Sequence, residues 1–550
     1  MSEESSVERV GGSPLENFAR TAEFWRRSSG IYLAYKLHQV KAWGLVKRGW
    51  DAERLRKDHW QPHHTWAGVE FHKLAVDLRG FYLKLGQFFA ARAEFVPEPI
   101  CRKLALLHDQ VPPMSPQQTR SVLEAELHGV PIEDIFEWID LEKPLGSASI
   151  AQVHKARLKG PHSRNKRQPR RPWWTMGLGA LALSSGRGWD SADSFEDAHP
   201  DDDARQRPIE RKRRKRAQGL AEQEAAQSEA MPDPVRAAAD ACRSPDGPED
   251  GIVAVKVQYP NCLPTMMLDL THIRVFAGYL RKTEIKFDLV SAVDELATQV
   301  RKEFDFEREA LIMDAVADNL QGMIKEVEIP RSIPGLVTPR LLVMHFVPGT
   351  QITRLRGRME QLSSWQRDRA KQRILSRVTA AFGHMMLVDG LFQADAHPGN
   401  ILVQPGGRIG LLDFGQSKRL PEPVRIALAK LMLEMGKGRH QAEPRKVAQL
   451  LHDLGLRFSK PADDIQMQMA FGMFDSRLSH RVDPFAANSP IKKLEIQHFP
   501  HDVFFVLRVV QLLRGLAGGM QVGDFSTAEQ WGAFARTALK HTPKGDLSLE

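Results

Sequence analysis

A run towards the C-terminal third of the chain holds its densest chemistry: Gln393-Ala394-Asp395-Ala396-His397-Pro398-Gly399-Asn400, followed by Leu411-Leu412-Asp413-Phe414-Gly415. Asn400 lies five residues after Asp395, and Asp413 thirteen after Asn400. Asn400 and Asp413 are oxygen donors suited to Mg²⁺, and Asp395 is placed to accept or position a proton. Moving a phosphoryl group needs little covalent help from protein. It needs metal ions on the β- and γ-phosphates and a group that orients the acceptor. Between the two donors, Ile401-Leu402-Val403 reads as a strand, Pro405-Gly406-Gly407 as a turn, and Arg408 to Leu412 as the returning strand. Such a hairpin returns Asn400 and Asp413 to one end, where a single cation could touch both. A loop with helix-capping side chains would account for Asp395 and Asn400 but leaves the pairing with Asp413 unexplained.

That chemistry requires elements that hold a nucleotide. Ile252-Val253-Ala254-Val255-Lys256-Val257 is an alternating β-branched run with one Lys inside it. Lys256 is either an outward-facing solvated residue or the phosphate ligand, and the downstream pair favours the ligand. A lysine in a cleft wants a carboxylate to hold it. The segment Asp294 to Asp318 has helical spacing and carries Glu303, Asp305, Glu307 and Glu309. Several of these acids could pair with Lys256, and the others would form a wet helix face. Glu309 is the preferred partner, with Glu303 and Asp305 as a second acidic site near the metal. Upstream, Gly146-Ser147-Ala148-Ser149 precede an alternating strand, as suits a loop whose N–H groups approach phosphates. Leu336 to Gly349 reads as a buried strand running into a turn. It is a core strand, or a hinge where backbone groups around Met344 and Phe346 meet adenine.

These ordered motifs, together with Leu83-Lys84-Leu85-Gly86-Gln87, resemble the UbiB/AarF-domain atypical kinases, over roughly Asp77 to Leu420. The resemblance implies an α+β, two-lobed protein-kinase-like fold with a helical N-terminal extension bearing a KxGQ signature and further helices at the C-terminus. It matches Lys84 and Gln87 to that signature, in an extension that folds over the active site and obstructs a peptide groove. It matches Glu303 and Asp305 to an ExD motif, Lys256 and Glu309 to an ion pair, and Asn400 and Asp413 to metal ligands, with ATP and Mg²⁺ as cofactors. Relatives act in prenyl-quinone biosynthesis or lipid homeostasis, in mitochondria, plastids or bacteria, and tend towards ATPase activity. Two departures stand out. Gly146 and Ser147 interrupt a phosphate loop that is usually alanine-rich, and Gln393 stands where many relatives have His, losing a hydrogen-bonding or titratable group.

An orthodox Ser/Thr protein kinase is disfavoured. The residue before Asp395 is Ala394, where such enzymes carry an Arg that pairs with a phosphorylated activation loop. Gln416 to Leu420 leads almost directly to a helix from about Pro423, leaving little chain to dock a peptide. A non-catalytic, nucleotide-switched scaffold for lipid enzymes is the other reading.

Composition sets the outer bounds. With 550 residues, 42% of them hydrophobic, the chain can bury a large two-lobed core. The net charge of +9 permits contact with anionic lipid or nucleotide but demonstrates neither. Cys101, Cys242 and Cys262 show neither zinc spacing nor a disulfide framework. No uncharged apolar run reaches membrane-spanning length; Val503 to Met520 is broken by Arg508 and Arg514 and reads as a packed helix. Glu3, Glu4 and Glu8 argue against a transit peptide at this end.

The expected organisation is a tail and amphipathic helices over residues 1–65, a helical KxGQ extension over 66–140 and a nucleotide lobe over 141–345. A second lobe follows over 346–460, with helices over 461–550. Leu15 to about Trp50 mixes Phe24, Trp25, Leu33 and Trp43 with Arg26, Lys36, Lys41 and Lys47. Such a basic amphipathic helix lies on a membrane surface or packs on the domain. Within the nucleotide lobe, residues 160–250 are rich in Arg, Lys and acids and poor in large aliphatics, predicting a disordered insertion between two strands that pair without it. Its Arg211 to Arg216 run is read as a solvated stretch rather than a specific nucleic-acid site. Oligomeric state and phosphoryl acceptor are not legible.

Overall fold

The computed structural model describes residues 14–90, 96–107, 113–148, 150–160, 233–244, 247–283, 289–320, 326–360, 362–480, 494 and 496–540. Two lobes meet at a cleft, with helices laid over both. The N-terminal helices are α1 (Pro14–Lys47), α2 (Gln61–Leu78) and α3 (Phe81–Ala90). The first sheet comprises β1 (Phe136–Ile139), β2 (Gly146–Ser147), β3 (Ala151–Leu158), β4 (Ile252–Gln258), β6 (Ser332–Thr338) and β7 (Leu341–His345). Its order is β1-β3-β4-β7-β6, with β2 beside β3, and each pairing is antiparallel.

The two-residue period of β4 sorts its side chains. Val253, Val255 and Val257 enter an outer core with Ala156, Leu336, Leu341 and Val343. Ala254 faces the opposite way, into the main core with Leu342 and Met344. Lys256, on the same face as Ala254, is therefore aimed at the cleft. A one-residue slip would exchange the two sets, and the register Lys256↔Leu342 fixes them.

β3 and β4 pair over seven residues, from Ala151↔Gln258 to Arg157↔Ile252, although the long insertion separates them. The disorder expected across residues 160–250 needs correction at its end. Helix α4 (Pro234–Arg243) starts on an Asp233 cap, 2.9 Å from the Val235 amide, and buries Ala238 in the outer core. Small alanines on one face of that helix make the close packing possible. The rest of the expected disorder, over residues 161–232, lies outside the described residues.

Helix α5 (Cys262–Thr283) carries Asp269 and His272, which receive α1. Arg20 pairs with Asp269 at 2.6 Å, Phe24 stacks on Tyr82 of α3 at 5.4 Å, and Trp25 donates to His272. One face of α1 is thus packed on the domain. Its other face exposes Leu33, Leu37, Val40 and Trp43. Further along, His63 of α2 is buried, stacked on His38 at 3.8 Å and on Trp66 at 5.2 Å, while Tyr35 bonds His64 at 2.9 Å.

The single helix read over Asp294 to Asp318 is two: α6 (Leu289–Glu303) and α7 (Phe306–Leu320). The break has partners. Asp305 accepts from the Arg308 amide at 2.9 Å and so caps α7. The buried Gln258 amide donates to the Phe304 carbonyl at 2.7 Å, and the Phe306 amide reaches the Pro339 carbonyl.

In the second lobe, β5 (Val327–Glu328), β8 (Thr350–Gln351), β10 (Ile401–Val403) and β11 (Ile409–Leu411) form one sheet. β9 (Leu391–Gln393) pairs with β12 (Ser417–Arg419). Helices α8 (Ser364–Gly383), α9 (Glu422–Met435), α10 (Pro444–Asp453), α11 (Asp463–Phe474), α12 (His501–Gly519) and α13 (Gly532–Ala538) share the main apolar core. Buried Trp531 donates to the Thr379 carbonyl at 2.8 Å, so the chain after residue 461 is part of the lobe's own interior. Among the described residues no helix is long and apolar enough to cross a membrane.

Candidate active site

The β10–β11 hairpin forms in the register Ile401↔Leu411, Leu402↔Gly410, Val403↔Ile409, turning through Gly406 and Gly407 at positive φ. The Leu412 amide donates to the Asn400 carbonyl at 2.9 Å, closing the ladder immediately before Asp413. The hairpin thus brings Asn400 and Asp413 to the same end. Asp413 itself sits at φ 63°, a left-handed conformation that Asp tolerates better than most residues. Its Oδ1 accepts from the Gly415 amide at 3.2 Å. A side chain at Gly415 would lie 3.3 Å from both Asp413 Oδ1 and Glu309 Oε2, so glycine leaves room for the two carboxylates.

Lys256 stands at the centre. Its Nζ donates to Glu309 at 2.7 and 2.9 Å and reaches Asp413 Oδ1 at 3.4 Å. Glu309, in the first turn of α7, is 2% exposed, whereas the Asp413 side chain is 45% exposed. Burial alone would discharge the lysine; Asp413 and Glu309 outweigh it and raise its pKa. Burial likewise raises the Asp413 carboxyl, but Lys256, the Gly415 amide and Lys84 reverse this and hold it below its ordinary value. The result is an ionised, partly open carboxylate beside a fixed ammonium.

The second cation is Lys84, from α3, which is ion-paired with Glu303 at the end of α6. Both side chains are nearly buried, and Glu303 also accepts from Gln416. Burial raises the Glu303 carboxyl; Lys84 opposes this, and the nearby Asp395 and Asp413 charges add to it. Gln87 lies three residues on, half-buried on the same helical face. Gly86 is buried between them, and a Cβ there would strike Leu107. Asp305 is not in this cluster by hydrogen bonding: its carboxylate caps α7, as described above.

Gly146 and Ser147 belong to β2, paired with Val153 and Gln152 rather than forming an open loop. The Ala148 amide is committed to the Ala151 carbonyl at 2.8 Å, and Ser147 Oγ bonds the Tyr259 hydroxyl at 2.6 Å. Small residues here fold a tight hairpin, so backbone N–H groups at Gly146 to Ala148 are less available to phosphate than the sequence suggests. Ser149 lies outside the described residues. Met344 is in β7 opposite Ala254, and Phe346 follows it at the lobe junction, with Lys155 4.4 Å above its ring.

Three residues near the site, Gln416, Arg308 and Arg508, were not singled out by motif, and a fourth, Gln393, was noted only as a departure. Buried Gln393 donates to the Leu412 and Asp413 carbonyls, both at 2.6 Å, supplying the hydrogen bonding that its departure from His appeared to remove. Gln416 holds Glu303. Arg308 donates at 3.4 Å to the carbonyls of Gly415 and Ser417, steadying the segment after Asp413. Arg508, from α12, is ion-paired with Asp395. Its only sequence signal was a charge interrupting an apolar helix.

No three His, Cys, Asp or Glu side chains among the described residues form a metal-holding group. The donor set that remains, one carboxylate and one amide oxygen, fits a cation that keeps waters and phosphate oxygens as its other ligands, as Mg²⁺ does.

An ABC1 atypical kinase-like domain model matches residues 106–164 and 243–443, skipping the insertion. The chain carries an ABC1 atypical kinase-like domain. Among curated relatives of this ABC1-type chain, "Protein ACTIVITY OF BC1 COMPLEX KINASE 8, chloroplastic" of Arabidopsis thaliana is 27% identical over 382 residues, covering 68% of this chain and 37% of that protein. "Probable protein kinase UbiB" of Pseudomonas fluorescens is 25% identical over 339 residues, covering 61% and 45%. The chain thus spans less than half the length of these two relatives. "AarF domain-containing protein kinase 1" of Gallus gallus is 22% identical over 481 residues, covering 83% and 72%. A solved structure of Rv3197 with erythromycin from Mycobacterium tuberculosis resembles 89% of this chain and 98% of that one, at 18% identity and TM-score 0.46, too distant to carry an argument.

Proposed function

We propose that this ABC1-type chain binds Mg·ATP and hydrolyses the γ-phosphate, or transfers it to a small or lipid-associated acceptor, in support of prenyl-quinone biosynthesis or lipid homeostasis. The observation that carries the reading is Lys256 held between buried Glu309 and partly open Asp413. In this reading Lys256 contacts phosphate and Asn400 with Asp413 holds the metal. Asp395 orients the attacking oxygen, and Lys84, Gln87 and Glu303 cover the site, with Asp305 fixing the helix that supplies Glu309. Bound Mg²⁺ supplies charge neutralisation on the phosphates. The backbone between Met344 and Val347 meets adenine.

Protein substrates fit poorly. β12 begins two residues after Gly415 and pairs with β9, and α9 follows at Glu422, so no segment is left to seat a peptide. The exposed Leu33, Leu37, Val40 and Trp43 of α1, with Lys36 and Lys41 nearby, support contact with a membrane surface. The chloroplastic names of two plant relatives favour a plastid or related organelle. A nucleotide-switched scaffold remains the second reading, favoured by the Arg508 contact that occupies Asp395.

The decisive test is Asp413→Asn, nearly constant in volume but weaker as a metal ligand. Wild type should gain thermal stability with ATP and Mg²⁺ together and hydrolyse ATP, with and without anionic vesicles. Asp413→Asn should melt normally alone and lose the Mg²⁺-dependent gain. Unchanged Mg·ATP affinity in the variant would remove Asp413 from the site.

A further inference from the structure

Three cations face acids of the cleft: Lys256 on Glu309 and Asp413, Lys84 on Glu303, and Arg508 on Asp395. The first two are nearly buried. The third is open, with Arg508 and Asp395 side chains 34% and 33% exposed. Only one Arg508 N–H group is engaged; among the described residues its side chain makes no other hydrogen bond. A guanidinium carries five donors in a rigid fork that matches phosphate geometry. Arg508 therefore holds four donors unspent beside the residue that orients the attacking oxygen.

The catalytic loop offers no cation of its own. Asp395 to Asn400 contains no Lys or Arg, and His397 Nδ1 accepts from the Gly399 amide at 3.0 Å. Arg308 faces the Gly415 and Ser417 carbonyls instead. The Arg508 backbone is well anchored. α12 buries Val503, Val506, Leu507 and Val510 around it, and Asp502 at its start pairs with Lys418 at 2.8 Å.

Resting on the Mg·ATP reading above, we infer that Arg508 is the cation that meets the transferring γ-phosphoryl group, exchanging its contact with Asp395 for the phosphoryl oxygens. In that step the bond from the γ-phosphorus to the β–γ bridging oxygen breaks, and its electron pair leaves on ADP. A bond forms to the oxygen of water or an acceptor hydroxyl, whose proton passes to Asp395. The exchange has two effects at once. It neutralises charge on the phosphoryl oxygens, and it uncovers the carboxylate that takes the proton. Without nucleotide, cation and base occupy each other.

The experiment compares full-chain wild type, Arg508→Ala and Arg508→Lys. It measures Mg·ADP affinity, affinity for Mg·ADP with aluminium fluoride as a planar phosphoryl mimic, and ATP turnover, each with a melting curve. Arg508→Ala should keep Mg·ADP affinity within about threefold, lose the wild type's tighter binding of the fluoride complex, and turn over on the order of 10²-fold more slowly. Free guanidinium should restore part of that rate. Arg508→Lys keeps the charge and the fold, and should fall about tenfold because it lacks the fork. Wild-type or faster turnover in both variants would mean that Arg508 only masks Asp395, and would overturn the inference while leaving the nucleotide reading intact. A wild type that fails to bind Mg·ADP would overturn both.

Discussion

The cleft and the N-terminal layer bury polar groups by opposite means. In the cleft each buried charge has a counter-charge: Lys256 with Glu309, Lys84 with Glu303. In the layer formed by α1 and α2, His63 is as deeply buried but meets rings: His38, Trp66 and Tyr35. Among the described residues its Nε2 has no hydrogen-bond partner. Paired charges hold geometry for chemistry and fail badly when one partner goes. Stacked neutral rings hold two helices together and fail when a proton arrives.

The largest break in this contrast should come at Lys256. Replacing it with Met leaves Glu309 buried without its partner, and removing one member of such a pair costs about 3–5 kcal/mol. Denaturant unfolding should register that loss, and Lys256→Met combined with Glu309→Gln should recover most of it. A single variant as stable as wild type would mean that the pair contributes nothing to the fold. Lys84→Ala comes next. It uncouples the N-terminal extension from Glu303 and should change Mg·ATP affinity or turnover about tenfold, roughly 1.4 kcal/mol. Lys73→Ala, which breaks only an exposed pair with Glu70, is the control. Equal, negligible effects in both would separate the extension from the nucleotide site.

The smallest effect should appear in the His layer and only with pH. Burial lowers the His63 pKa from 6.5 to about 4, helped by the neighbouring His38, His64 and His59. The folded form thus prefers the neutral ring. Its contribution is complete above pH 6.5 and is lost as pH falls from there through 4. Melting temperature should drop across that window, and His63→Phe should flatten the drop. An unchanged slope would mean that other groups govern the acid limb.

Legibility followed the same division. The hairpin that brings Asn400 and Asp413 to one end was readable because Gly406 and Gly407 mark its turn between two short apolar runs. Lys256 was readable from the two-residue period of β4. Glu309 was less so, because eight acids shared one apparent helix; the break at Asp305 depends on Gln258, which lies 47 positions before it. Arg508 was invisible because its partner lies 113 residues away. Helix α4 was missed for a related reason. Its alanines look too small to build a core, and they suffice only because the sheet already provides the opposite wall.

Gln393 carries a consequence for the conditions in which the cleft can work. Its amide spends both hydrogens, one on the Leu412 carbonyl and one on the Asp413 carbonyl. A neutral imidazole in that place has a single N–H and could serve both only after taking up a proton. An amide has no proton to gain or lose across the physiological range. The strut beneath Asp413 is therefore indifferent to the acidity of its surroundings, and any acid sensitivity of the cleft must enter through other groups.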